Sequence, residues 1–174
     1  MGLFSRRSVP GEPTTGGAAQ PPLQTEPADK DLVADDTFVV PRALELRPSD
    51  RADRDRALSD LHAAGVDLDS IEAIGAGHDL DCSSWVAAGG LRGGGDQSDA
   101  VTRWGVAIGE WLVRHTDLQW ATVSDAFGTD LGLVAETDHF MLVPANLVIG
   151  RWLNAQTGWV PGVAGHLARL RADR

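Results

Sequence analysis

Between residues 98 and 116 the chain reads SDAVTRWGVAIGEWLVRHT, and this run constrains the fold more than any other. Val101, Trp104, Ile108, Trp111 and Leu112 recur at the spacing of one helical face. Gly105 and Gly109 lie four apart on or beside that face. A glycine inside a helix costs about 1 kcal/mol against alanine, so two at this spacing predict that another backbone segment packs close. The helix is expected near the centre of the domain, with Ser98 as its cap.

The segment after it reads as β. Residues 118–124 place Leu118, Trp120, Thr122 and Ser124 on one side and Gln119, Ala121 and Val123 on the other. Residues 131–136 alternate in the same way, a tight turn is expected at 138–139, and FMLVP at 140–144 gives a third strand. Pro144 ends that strand and suits the first position of a helix. That helix runs to a stop at Gly158, and a last one over about 161–172 is expected to bury Val163, Leu167 and Leu170.

Upstream, a helix is expected over about 50–64, with Ser49 or Asp50 as cap and Ala57, Leu58 and Leu61 as a narrow apolar stripe. Gly65 closes it. A short second helix over 67–75, capped by Asp67 or Asp69, ends at Gly75. One more turn starts at Ser83, and the five glycines within 89–97 predict a flexible joint. TFVV at 37–40 reads as an edge strand stopped by Pro41. The expected domain is α+β over 37–174. It has a helical part over 37–97, then a helix, a small antiparallel three-stranded meander and two more helices over 98–174. Helices on both sheet faces is the simpler reading; a second face left open for a partner is the alternative.

Residues 1–36 hold five of the nine prolines and almost no periodic apolar residues. Such a segment cannot bury enough surface to offset its ordering entropy, so a disordered acidic tail is expected. It reads as an inert linker or as a short docking peptide around Leu3 and Phe4. It carries three basic against six acidic residues, so residues 37–174 hold −7 of the formal charge of −10. Both parts repel phosphate backbones and anionic lipid, which argues against nucleic-acid and membrane-surface partners. The start lacks the apolar core of a secretory signal, and apolar runs are far shorter than a spanning helix needs, so a soluble cytoplasmic protein is expected. Fourteen arginines against one lysine suggest a GC-rich bacterial genome. Cys82 is the single cysteine, which excludes an internal disulfide and suits a buried inert thiol.

No phosphate loop, dinucleotide fingerprint or nucleophile elbow is present, and the five histidines show no metal-ligand spacing. No cofactor, metal or catalytic residue is assigned on these grounds, and each histidine is expected at the surface, partly exposed. Asp125 and Asp130 flank a connection longer than the tightest hairpins, where carboxylates and Gly128 suit turn chemistry. Phe127 at the same tip either packs under or anchors a partner. With Glu110, Arg151 and His139, these three form the candidate binding set. Of six tryptophans, Trp104, Trp111, Trp120 and Trp152 fall on inner faces and are assigned to the core.

WGVAIGEWLV, LQWATVSDAFGTDLGLV and VPANLVIGRW together resemble the bacterial family known as domain of unknown function 3806. The resemblance spans about residues 98–155 and rests on Gly105, Gly109, Glu110, Trp120, Asp125, Gly128, Pro144 and Arg151. It implies the fold and transfers no chemistry. The general look, small and acidic with helices on a meander, is similar to immunity proteins and secretion chaperones.

Three functional readings follow. The first is a non-enzymatic interaction module with another protein as partner, immunity- or chaperone-like. The second is a small enzyme with a carboxylate site drawn from Glu110, Asp125, Asp130 or His139. The third is a structural accessory domain. If the tail is inert, deleting residues 1–36 leaves the melting temperature nearly unchanged in a thermal scan; a large drop would show that it packs on the domain.

Overall fold

The computed structural model describes residues 41–125, 128–136 and 139–173. In chain order the elements are β1 (Arg42–Leu44), α1 (Pro48–Ala63), α2 (Ile71–Ala87), a 3₁₀ turn (Gly90–Arg92), α3 (Ser98–His115), β2 (Gln119–Asp125), β3 (Gly128–Val134), β4 (Met141–Leu142), α4 (Pro144–Leu153) and α5 (Val160–Ala172). The class is α+β, as expected, but the antiparallel sheet has four strands in the order β1-β2-β3-β4. The three-stranded expectation misses β1, whose Arg42, Ala43 and Leu44 pair with Ser124, Val123 and Thr122. Pro41, expected as a strand stop, stands just ahead of β1, where its missing N–H removes no ladder bond. The tail expected over 1–36 and the strand expected over 37–40 lie outside the described residues.

α3 is the central element. Trp104, Ile108, Trp111 and Leu112 are all buried in one core with residues from α1, α2, α4, α5 and the sheet. Both glycines are contact points. A Cβ on Gly105 would meet the backbone of Ala145 at 2.9 Å, and one on Gly109 would run into the Trp120 ring and the side chain of Pro144. The absent side chains let the start of α4 and the Trp120 strand approach α3 closely, which offsets the helix-propensity cost.

α1 ends as the sequence predicts. Gly65 adopts φ +73°, its N–H donates to His62 O, and Val66 N–H donates to Leu61 O. That is the paired closure of a glycine-terminated helix. α2 departs from expectation: what read as a helix over 67–75 and a separate turn is one 17-residue helix capped by Ser70, whose hydroxyl accepts from Ala73 N–H at 3.1 Å. Gly75 does not stop it. A Cβ there would press on Pro161 of α5 at 3.1 Å, and one on Gly77 would enter the Trp104 ring, so both glycines serve helix packing. The glycine-rich stretch after α2 is a wrapped cover and not a loose joint. Trp85 Nε1 donates to Gly95 O at 3.2 Å, and a Cβ on Gly94 would lie 2.8 Å from the indole.

α5 turns a different face inward than expected. Val160, Ala164 and Arg171 are buried, Val163 and Leu167 are half-buried, and Leu170 is exposed. Arg171 decides the rotation. Its guanidinium reaches Asp117 through Nε at 2.8 Å and Nη2 at 2.5 Å, and lies over the Phe140 ring. His78 is also not at the surface: it is fully buried, edge-on to Trp152 and Trp159 at 5.5 and 5.2 Å between ring centres. Its Nδ1 donates to Asp79, whose other oxygen accepts from Gly158 N–H at 2.8 Å, so one carboxylate ties α2 to the turn before α5. Cys82 is buried, and burial pushes its thiol pKa up, as an inert core residue requires. Among the described residues no helix is long and apolar enough to cross a membrane.

Leucine at position 109 would have to displace Trp120 and Pro144. Gly109→Leu is expected to lower stability by about 2 kcal/mol through overpacking, measured as a shifted urea midpoint; a neutral result would mean that α3 does not contact the Trp120 strand.

Candidate binding site

Thr122 lies on the same sheet face as Trp120, paired with Leu131 across the ladder. It is fully buried, so its hydroxyl needs a partner. The first turn of α1 supplies one. Thr122 Oγ1 donates to Asp50 Oδ2 at 2.5 Å and accepts from Arg47 N–H at 3.0 Å. Arg47 grips the same carboxylate from outside, with Nε to Oδ2 at 2.9 Å and Nη2 to Oδ1 at 2.8 Å. Asp50 therefore does not cap α1, contrary to expectation; Arg47 precedes the helix with no side-chain cap. The Arg47 hydrogen bonds hold the Asp50 carboxyl below the ordinary carboxylate range, against the opposing effect of burial, and Thr122 adds to the same direction.

Beside this clamp opens a cleft of about 270 Å³. α3 contributes Thr102, Gly105 and Val106; the start of α4 contributes Pro144 and Ala145. Trp120 and Leu131 supply sheet surface, while Arg47, Asp50, Asp53, Thr129 and Asp130 supply the polar lining. Trp120 was assigned to the core, but it is half-buried and lines this cleft. The glycines set where the ring and Ala145 sit, since a Cβ on Gly109 would run into the one and a Cβ on Gly105 into the other. The indole is fixed from behind, since Trp120 Nε1 donates to Glu110 Oε2 at 3.1 Å. Glu110 Oε1 accepts from Arg114 Nε at 3.2 Å, and Arg114 Nη1 reaches Asp69 at 2.6 Å. Arg103 and Trp104 Nε1 converge likewise on Asp81, at 2.6 and 3.0 Å.

The candidate residues from sequence are dispersed. Glu110 positions Trp120 and does not line the cleft. Asp125 Oδ1 accepts from Gly128 N–H at 3.1 Å, with Gly128 at φ +145°, so it carries turn chemistry. β2 ends at Asp125 and β3 begins at Gly128, which makes the connection shorter than expected. Phe127 lies outside the described residues. Asp130 borders the cleft, and its charge adds to that of Asp50 in raising the Arg47 pKa. His139 is exposed at φ +56°. Arg151 sits on Trp159, 4.5 Å from the ring centre, and donates to Leu147 O; it is away from the cleft lining. No cluster of three metal-ligating side chains occurs among the described residues.

Arg47, Asp50, Asp53 and Thr102 were not foreseen as site residues. One signal was present: Thr122 is polar on the strand face that also points Leu118 and Trp120 inward, and a buried hydroxyl demands a hydrogen-bonding partner from elsewhere. Fold and cleft together define an α+β domain with a mixed apolar and charged groove between its first, third and fourth helices. Residues 94–162 match the model of the family described as Domain of unknown function (DUF3806), in agreement with the resemblance over 98–155. No curated protein and no solved structure matches the chain.

Because the Asp50 carboxyl is held lower in the fold than in the unfolded chain, its contribution to stability is complete above about pH 4. It is lost as the pH falls below that, through the folded-state value. Asp50→Asn is expected to lose about 2 kcal/mol at pH 7 and to show a shallower acid dependence, measured by urea unfolding at a series of pH values.

Proposed function

We propose that this domain is a non-enzymatic protein-interaction module and that the Trp120 cleft is where a partner docks. The observation that carries the reading is the cleft itself. An indole fixed by Glu110 borders an apolar wall of Val106, Leu131, Pro144 and Ala145 under a charged rim. A rigid aromatic with a polar surround is the usual make-up of an anchoring pocket. Three carboxylates support the same reading, because they are engaged in holding structure: Asp50 in the clamp, Glu110 behind Trp120, Asp125 in its turn. The cytoplasm of a bacterium is the setting this composition suits, and an immunity- or chaperone-like role is the form of interaction we favour.

Thr102 is exposed on α3 at the mouth of the cleft, so a bulky side chain there blocks entry without entering the core. Affinity capture with the wild-type chain is expected to recover a partner that Thr102→Trp does not, at equal thermal stability of the two baits. Equal recovery by both, or no specific partner for either, would overturn the cleft as the docking site.

A further inference from the structure

The cleft does not end at Trp120. A second cavity of about 350 Å³ lies between α1 and α3 and adjoins the first at Asp53 and Thr102, which line both, so that the two make up a groove along α1. Along it stand five carboxylates: Asp50, Asp53, Asp60, Asp99 and Asp130. The three guanidiniums on the groove are already engaged, Arg47 by Asp50, Arg56 by Asp53, and Arg103 by Asp81 outside it. Asp60, Asp99 and Asp130 make no salt bridge among the described residues, and Asp130 meets the Arg47 charge only at longer range. Asp130 borders the apolar seat beside Trp120, and Asp60 and Asp99 line the second cavity. An anionic ligand is repelled by this lining, and a wholly apolar one leaves the carboxylates facing it without compensation.

From this charge complementarity we infer that the groove accepts a basic segment of a partner protein, with one cationic side chain against Trp120 and a second beside Asp60 and Asp99. The inference rests on the docking role proposed above and names the chemistry of the occupant. Along α1, Asp50 lines the first cavity and Ala57 the second, a helical separation of about 10 Å. An extended chain covers that distance in about three residues. The expected motif therefore carries its two basic residues three apart. An aromatic ring with a nearby carboxylate favours a cation over a neutral isostere of the same shape.

The test follows the Trp120 indole N–H by NMR in the full chain, with the signal assigned by its loss in Trp120→Phe. The probe is the capped peptide Gly-Arg-Gly-Gly-Arg-Gly, compared with the same peptide carrying citrulline at both arginine positions. The arginine peptide is expected to shift the Trp120 signal saturably and to bind at least about tenfold tighter than the citrulline peptide. Binding is expected to weaken about threefold in Asp130→Asn and in Asp60→Asn, both exposed positions, and again when salt is raised from about 50 to about 300 mM. Equal binding of the two peptides, affinity unchanged in both variants, or no saturable shift at Trp120 would overturn the inference. Spermidine binding as tightly as the peptide would also overturn it, by making the groove a polyamine site. The two readings fail separately. A captured partner lost on Thr102→Trp, with citrulline and arginine peptides binding alike, keeps the docking site and rejects the basic occupant. Discrimination between the peptides with no partner lost on Thr102→Trp keeps the groove's preference for basic peptides and rejects it as the docking site of the captured partner.

Discussion

The close approach of α3 to the strand of Trp120 and to the start of α4 is the constraint on which the rest of this structure depends. It exists because positions 105 and 109 carry no side chains. Ala145 sits where a Cβ of residue 105 would be, and the Trp120 ring sits where one of residue 109 would be. Moving α3 outward by the width of a methyl group would detach Glu110 from the indole N–H and separate Pro144 from the helix. The packing that stabilises the domain and the groove that gives it a surface to use thus share the same two glycines.

The second organising contact is electrostatic. Asp50 is a buried carboxylate held by a guanidinium, a hydroxyl and a position in the first turn of a helix, where the backbone dipoles favour negative charge. It fastens α1 to the sheet across more than seventy residues of sequence. Removing Arg47 would leave the buried Asp50 carboxylate short of its compensating charge, so the contact fixes where α1 lies. Arg171 with Asp117 repeats the device at the far end of the chain, and Asp79 links His78 to the turn before α5.

Much of this was legible in the sequence where a residue type has only one good use. The paired glycines of α3, the glycine closure of α1 at Gly65 and the proline start of α4 were each read correctly, because no other conformation suits them as well. Ambiguous residues misled. Gly75 can stop a helix or let another element approach, and only the position of Pro161 decides. Asp50 can cap its own helix or reach a strand; Thr122, 72 residues away, decides that. Trp120 alternates inward as expected, yet no periodicity reveals whether the space beside an inward ring is filled. His78 and Arg171 are polar residues retained inside by specific partners, which a local pattern does not display.

The groove is assembled from two sources. Its indole, its prolyl wall, Asp99 and Asp130 belong to the segment matched by the family, whereas Arg47, Asp50, Asp53 and Asp60 come from the first helix and the residue ahead of it, which lie before that segment. A chain carrying the same segment behind a different first helix would keep the shape of the receptacle and change its polarity. Selectivity is in that sense modular: one stretch of sequence makes the mould, and another sets the sign of what it will hold.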